Sequence, residues 1–503
     1  MTSDEHRTPD ERRTTDIDAD ALPERAAGLL GRGDRLALTA AHHDPDALRV
    51  VYLFTGASPD RRTELQVRLD PGRPALPSLA GLSFPAGRFE REMRDLYGIV
   101  PEDHPLPRRL VRHHHWPRGW YPMRADAGPP PEFGDPEGPY PFVNVEGPGV
   151  YEIPVGPVHA GMIGPGHFRF SVVGESILKL KARLWFVHRG LEKLFHGRLP
   201  GDALPIAERV SGDTTVGHAL AFCMAVEDAT GIEVSPGARR MRAMLLELER
   251  LYNHVTDLGA LCNDVGYSIM NSQFGRIRES LLRLNSEVTG HRLLRGGVVL
   301  GGAALRTIPA PARLTAIAED AAELARLALS HTVVADRFTG TAELPAEAAR
   351  DLGTLGYVAR ASGLDTDARR DHPFTDLRPS LRVATRTTGD VLARFQVRAE
   401  EIAVSAALIG DLAYGMSPGV VTYWPPLAPP AAPVSGVGIV EGWRGTIVHR
   451  VELAPDGTLT RAKIVDPSFF NWPALPIALN GVIVPDFPLV NKSFNLSYAG
   501  NDL

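Results

Sequence analysis

Histidine, carboxylate and arginine side chains gather in four segments of this chain at spacings that could move protons or hold a charged group. Residues 156–170 (GPVHAGMIGPGHFRF) place His159, His167 and Arg169 among glycines, which let a backbone approach a ligand or partner closely. A histidine in such a loop can transfer protons near neutral pH, and a tight hairpin whose histidines bond backbone explains the same residues equally well. Residues 208–228 (ERVSGDTTVGHALAFCMAVED) carry Arg209, Asp213 and His218, then Glu227 and Asp228. In residues 235–266, Glu247, Arg250, His254 and Asp257 recur every three or four positions. Residues 364–378 (LDTDARRDHPFTDLR) set Asp365, Arg369 and Asp371 close to a His-Pro pair. An exposed loop is the default for that last segment, and a site or an interface with another protein is its competitor.

These residues need elements to position them. In residues 235–266, Ser235 can cap a helix and Pro236 can occupy its first turn. Met241, Met244, Leu248, Leu251, Val255, Leu258 and Cys262 then form an apolar helix face, with the ionisable stripe well around from it. The stripe has two readings: a solvated surface with i, i+3 pairs, or a buried proton-relay network, which requires paired charges. Further helices are expected over 273–290, 310–338 and 388–414. Strands are expected over 152–175 as a hairpin region and again near the C-terminus, where VGIVEGWRGTIVHRVEL and TLTRAKIVD are joined at Pro455-Asp456-Gly457.

Ahead of this lies a shorter mixed module, with a helix at 22–31, strands in LRVVYLF and TELQVRL, and a helix in FEREMRDLYGI. The fold class is α+β: residues 1–20 as a disordered tail, 21–124 as an α+β domain, 125–150 as a linker or strap, and 151–503 as a mainly helical domain with a β extremity. The strap is dense in Pro and Gly, which remove donors and helix stability. A chain of 503 residues exceeds what one core usually organises.

Composition excludes several classes. A net charge of −6 without a basic block argues against nucleic acid, and no apolar run reaches membrane-spanning length. The chain is therefore expected in the cytoplasm. Only two cysteines occur, Cys223 and Cys262, both in apolar surroundings and neither in a Cys-x-x-Cys pair, so they read as buried structural thiols and the chain alone cannot supply a thiolate-bound cluster. His113 to His115 are adjacent, so their side chains diverge and a surface loop is favoured over a metal site. GVGIVEG (436–442) has no helix-forming sequence after it and is not read as a dinucleotide loop.

Six separated motifs carry a resemblance. GPVHAG with GPGHFRF, LWFVHRGLEKLF, ERVSGDTTVGHALAFCMAVE, ELERLYNHVTDLG, SGLDTDARRDHPF and the final PDFPLVNKSFNLSYAGNDL are similar, in order, to the large-subunit family shared by group 4 nickel-iron hydrogenases, formate hydrogenlyase and the 49-kDa-type subunit of respiratory complex I. FEREMRDLYGIVPEDHPLPRRL resembles the 30-kDa-type subunit, and the order matches fused C/D-type subunits. The resemblance implies an oxidoreductase subunit at the inner face of the cell membrane, binding no cofactor itself. It would dock on a small subunit that holds a [4Fe-4S] cluster, on a multi-helix membrane subunit and, through it, on antiporter-like subunits.

The departures narrow this expectation. Where the hydrogenases place Cys-x-x-Cys, this chain has Ser211 and Thr214, and its tail has no cysteine, so nickel-iron chemistry is not expected. Gly164 stands where a proton-transfer Glu is usual in the hydrogenases. His159 matches one quinone-binding position of the complex I relatives, whereas Ile163 and Pro200 stand at or near the others. The resemblance thus implies a remnant cleft lined by His159, His167, Arg169, Arg209, Asp213 and His218 and closed by Asp365, Arg369 and Asp371. Glu227, Glu247, His254 and Asp257 would carry charge coupling, with electrons passing from the partner's cluster to a quinone. The alternatives are a scaffold that lost its redox site, with the space beside Ser211 filled by side chains, and a hydrogenase with an unusual metal site.

Overall fold

The computed structural model describes residues 11–134, 138, 140–423 and 432–503. Residues Glu11–Asp16, expected within a disordered tail, form a strand that pairs in parallel with Arg61–Leu69 and widens the first sheet. That sheet runs in the order Glu11–Asp16, Arg61–Leu69, Leu48–Gly56, Arg35–His43. The Arg35–His43 and Leu48–Gly56 strands are buried at almost every position, so both faces are covered.

The Phe84–Tyr97 helix packs on this sheet through Phe89, Met93 and Leu96. The second cover is the C-terminal sheet of strands Val434–Gly442, Gly445–Leu453 and Leu459–Val465. Ion pairs stitch the seam: Arg450 to Glu64 at 2.9 Å, Arg49 to Glu452 at 2.7 Å and Lys463 to Glu92 at 2.6 Å. The described part of residues 125–150 has no helix or strand ahead of Val150. It lies against the Val150–Val155, His167–Val173, Ser176–Arg183 meander, where Lys181 Nζ donates to Val143 O at 2.8 Å and Arg183 sits over the Tyr140 ring.

The helical core centres on Pro236–Asp264, capped by the Ser235 hydroxyl accepting from Ala238 N. It packs against Ser268–Thr289 and Val391–Ala413. The helix expected over 310–338 is two, Pro311–Ser330 and Thr332–Phe338, because His331 adopts extended backbone and stacks on Tyr267 at 4.5 Å. GVGIVEG is the first arm of a β-hairpin. A Cβ on Gly436 or Gly438 would collide with backbone carbonyls of the Thr215–Thr230 helix, so these glycines serve helix-on-strand contact rather than a phosphate.

Removing one partner of a buried pair strands the other charge, which costs about 3–5 kcal/mol. Arg450→Met is therefore expected to lower the unfolding free energy by that order, read as a lower urea midpoint, and adding Glu64→Leu should recover most of the loss. An unchanged midpoint in the single variant would place the strength of the seam elsewhere.

Candidate functional site

The loop that opens the Thr215–Thr230 helix and the chain's last residues meet in the core. Ser211 Oγ lies 2.8 Å from Ser497 Oγ and donates to Asp213 Oδ1 at 3.0 Å. Thr214 Oγ1 also donates to Asp213 and receives Trp443 Nε1 at 3.1 Å. Arg444 clamps the Asp213 carboxylate with two bonds of 2.7 Å. Burial pushes the Asp213 carboxyl up, and the Arg444 guanidinium with the two hydroxyls outweighs this and holds it at about 2. Gly500 donates its N–H to Ser497 Oγ, and a Cβ there would lie 2.5 Å from the Asp466 carboxylate, so only glycine lets the tail seat this closely.

These hydroxyls are committed to one another and to Asp213. Hard, mutually bonded oxygens do not replace the thiolates that nickel-iron chemistry requires, so the residues present do not fit that group. Among the described residues no cluster of three or more His, Cys, Asp or Glu could hold a metal ion. Both cysteines are fully buried. Sequence reasoning missed Ser497, because an isolated serine in a tail carries no pattern.

Only part of the expected cleft comes together. His159 faces Tyr498 of the tail, ring centroids 6.2 Å apart, and Gly164 and Gly166 let the loop lie on that tyrosine. His159 Nε2 is buried without a hydrogen-bond partner. His167 instead contacts Gly156 O through Nδ1, and Arg169 pairs with Glu152 beside the Phe142 ring. Arg209 points outward, bonded to Pro205 O. His218 is wholly buried, with Nε2 3.1 Å from Asp466 Oδ2 and Nδ1 3.0 Å from His449 Nε2. The closing trio separates as well. Arg369 turns into the core, whereas Asp365 and Asp371 pair with Arg370 at the surface, since successive residues of the short Ala368–Asp371 helix diverge.

The ionisable stripe is buried rather than solvated. Glu247 meets Arg250 at 3.1 Å and Arg369 at 3.2 Å, and Arg369 meets Asp367 at 2.6 Å. Arg360 joins Glu401 at 2.7 Å, Glu441 at 2.8 Å and Asp367 at 3.6 Å, while His254 Nε2 lies 2.7 Å from Glu401. Four carboxylates (Glu247, Asp367, Glu401, Glu441) thus face three guanidiniums (Arg250, Arg360, Arg369), with Arg35 adding a more distant positive field at Glu441. Counting Arg35, four guanidiniums stand near the four carboxylates, so the fixed charges of the group nearly balance, as buried charges must. Burial and the neighbouring Asp367 push the Glu441 carboxyl up, and burial lowers His254 against the pull of Glu401.

Glu249, on the same helix, accepts from Val216 N and Gly217 N, and burial pushes its carboxyl up to about 8. Glu227 pairs apart from this network, with Arg242 at 2.8 Å. Asp257 pairs with Arg398 at 3.1 Å and receives Asn495 from the tail at 2.7 Å. Sequence reasoning missed Arg360, Glu401 and Glu441 as members because they come from three other elements.

Asp213 gives a pH test. A carboxyl held at about 2 when folded and near 3.8 when unfolded contributes stability that is complete above the unfolded value and fades as pH falls through the folded one. The carboxylate is 41% exposed, so solvent screening limits the contribution to about 1 kcal/mol. Between about pH 5 and 2 the wild type should lose that amount of unfolding free energy relative to Asp213→Asn, and parallel pH profiles of the two would refute the pairing.

Comparison with known proteins agrees with this geometry. Residues 16–132 match the respiratory-chain NADH dehydrogenase 30 Kd subunit family, 264–432 its 49 Kd subunit family, and 189–262 the nickel-dependent hydrogenases. The chain is 33% identical to formate hydrogenlyase subunit 5 of Escherichia coli (strain K12) over 459 residues, 87% of this chain and 79% of that one. It is 34% identical to hydrogenase-4 component G of the same strain, covering 82% of this chain and 73% of the other. The fused C/D-type subunit of the NADH-quinone oxidoreductase of Phocaeicola vulgatus is 28% identical, over 75% of this chain and 77% of its own length. A chain of the membrane-bound sulfane sulfur reductase, an archaeal respiratory membrane complex, superposes with a TM-score of 0.62 at 23% identity, over 70% of this chain and 98% of that one, a likeness of fold. From sequence motifs, family matches and fold together, this chain belongs to the fused 30-kDa/49-kDa-type subunit family shared by complex I-like oxidoreductases and formate-hydrogenlyase-type hydrogenases.

Proposed function

We propose that this chain is a proton-coupling oxidoreductase subunit of a membrane-bound respiratory complex. It takes its electrons from a [4Fe-4S] cluster in a partner small subunit and passes them to a quinone. The complex moves ions through a multi-helix membrane subunit and antiporter-like subunits, with this chain on the cytoplasmic face. The names of the relatives support membership of such complexes, and one of them is named for a quinone. Among the described residues no helix is long and apolar enough to cross a membrane, which agrees with docking on a membrane partner.

The observation that carries the coupling role is the buried network with one carboxylate more than its direct guanidinium partners. A buried network of paired charges can take up or release a proton when charge nearby changes, and His254, whose Nε2–H is held by Glu401, keeps a buried Nδ1 without a hydrogen-bond partner that could accept one. The network also reaches the Ser211 loop. Arg250 donates to Gly442 O and Glu441 O, and the next two residues, Trp443 and Arg444, hold Asp213.

A second reading, a scaffold without its own redox site, is favoured by the Ser211–Ser497 contact, because hydroxyls and Arg444 fill the place where the hydrogenases hold metal. Reconstitution of the whole complex in vesicles with a quinone separates the two. On the coupling reading, Glu441→Gln and His254→Gln leave electron transfer near wild type and lower the protons moved per electron; an unchanged ratio in both would sink it. Replacing His159 and His218 together by Ala should slow quinone reduction by about a hundredfold, the scale of a lost general acid. Unchanged turnover would favour the scaffold. Metal analysis should find the partner's iron without stoichiometric nickel.

A further inference from the structure

Arginines gather where the N-terminal domain meets the strand meander of the large domain. Arg88 and Arg91 stand one turn apart on the Phe84–Tyr97 helix, Arg108 follows in the next loop, and Arg183 ends the Ser176–Arg183 strand. All four line one small cavity of about 200 Å³, and no Asp, Glu, Lys or His lines it. The rest of the wall is apolar or aromatic, with Tyr140, Trp185 and Trp472. Like charges one helical turn apart repel, so such a helix face calls for a counter-charge.

The described residues supply none at contact distance. Arg91 donates to the Arg108 and Arg109 carbonyls, Arg108 to Pro141 O, Arg183 to the Leu110 and Arg112 carbonyls, and Arg88 to Asn501 Oδ1. Every one of these acceptors is neutral. The Nε atoms of Arg88 and Arg183 are buried without a hydrogen-bond partner, and Arg183 is only 4% exposed. Tyr140 and Trp185 offer ring faces to Arg183, which ease its burial and carry no net charge. Three carboxylates act from further away and are engaged elsewhere: Glu92 by Lys463, Asp95 by three backbone N–H groups and Arg112, and Asp502 by Val187 N and Asn501. Burial pushes the Arg88, Arg91 and Arg183 guanidiniums down from their ordinary value, and Arg91 adds to the effect on Arg88. Guanidiniums keep their proton in proteins, so an anion is what relieves that cost.

The free donors select the anion. A guanidinium presents five N–H groups in a fork that matches paired oxygens, and hydrogen bonds within the chain use at most two on each of these four. A halide offers a single atom to such forks, whereas an oxyanion offers several. A volume of about 200 Å³ lies below the usual small-molecule range of roughly 300–1,000 Å³ and suits a small ion with a few waters. We propose that this cavity binds a doubly charged tetrahedral oxyanion of the sulfate or phosphate kind, which ties Arg88, Arg91 and Arg108 of the N-terminal domain to Arg183 of the large domain. This site is separate from the coupling network and does not rest on the coupling role.

The test uses the full chain alone, with no electron donor or quinone, so its failure leaves the coupling reading untouched. Calorimetric titration with sulfate, at an ionic strength held constant with chloride, should saturate at one ion per chain, and phosphate should compete for it. Perchlorate, which has the same shape and one charge, should bind about tenfold more weakly or worse, the scale of a weakened charge-assisted hydrogen bond. Arg108→Gln removes one fork, and Leu106→Glu places a carboxylate at the rim from an exposed position; each should weaken sulfate binding by about tenfold or more. Unsaturable binding, equal affinity for sulfate and perchlorate, or wild-type sulfate affinity in both variants would overturn the proposal. Should Arg108→Gln fail to fold by circular dichroism, Leu106→Glu and the comparison of sulfate with perchlorate on the wild type still decide it.

Discussion

Burial of ionised groups along the second face of the Pro236–Asp264 helix is the constraint around which the large domain is arranged. Glu247, Arg250 and His254 sit in the core with almost no solvent contact. Each can remain there only because another element delivers its partner: Arg369 from the Ala368–Asp371 turn, Glu401 and Ser405 from Val391–Ala413, and the Glu441 and Gly442 carbonyls from the C-terminal hairpin. An unpaired charge at any of these positions would be prohibitive, so the network fixes the relative placement of four chain segments distant in sequence. The apolar face of the same helix supplies driving force, and the charged face supplies the registry.

The Ser211 loop inherits its rigidity from that arrangement. Trp443 and Arg444 follow Glu441 closely, so the hairpin that closes the network also grips Asp213. Serine and threonine at the loop, serine and glycine in the tail, turn what in the hydrogenases is a thiolate cage into a small hydrogen-bonded joint between two distant parts of the chain. The joint is locally neutral, with the Asp213 charge met by Arg444. This explains physically how a chain of this family stays folded at that point without thiolates.

The two domains are joined by the same kind of interaction. Arg450, Arg49 and Lys463 reach from the C-terminal sheet, or toward it, into carboxylates across the seam, and the strands of the N-terminal sheet are buried on both faces as a result. Beside the stacked Phe89 and Phe469 rings the seam leaves a cavity.

Much is legible in local pattern. Ser235-Pro236 announces a helix start, the three and four residue spacing of Met244 to Cys262 marks its core face, and the glycine-rich GVGIVEG run, lacking a following helix, is a hairpin strand rather than a nucleotide loop. The missing thiolates at Ser211 and Thr214 argue against nickel-iron chemistry from residue identity alone. The helix break at His331 escapes such reading, because it depends on stacking against Tyr267 across a loop. So does Glu11–Asp16, whose strand exists only through its pairing with Arg61–Leu69. The sequence by itself determined family, domain order and the thiolate chemistry that the chain lacks, since these follow from residue identity and order. Whether the stripe of Glu247, Arg250, His254 and Asp257 met water or protein, and whether Arg369 would face solvent or Glu247, was decided only by tertiary structure. Helical spacing says which side chains share a face, and only the partners brought by other elements say what that face touches.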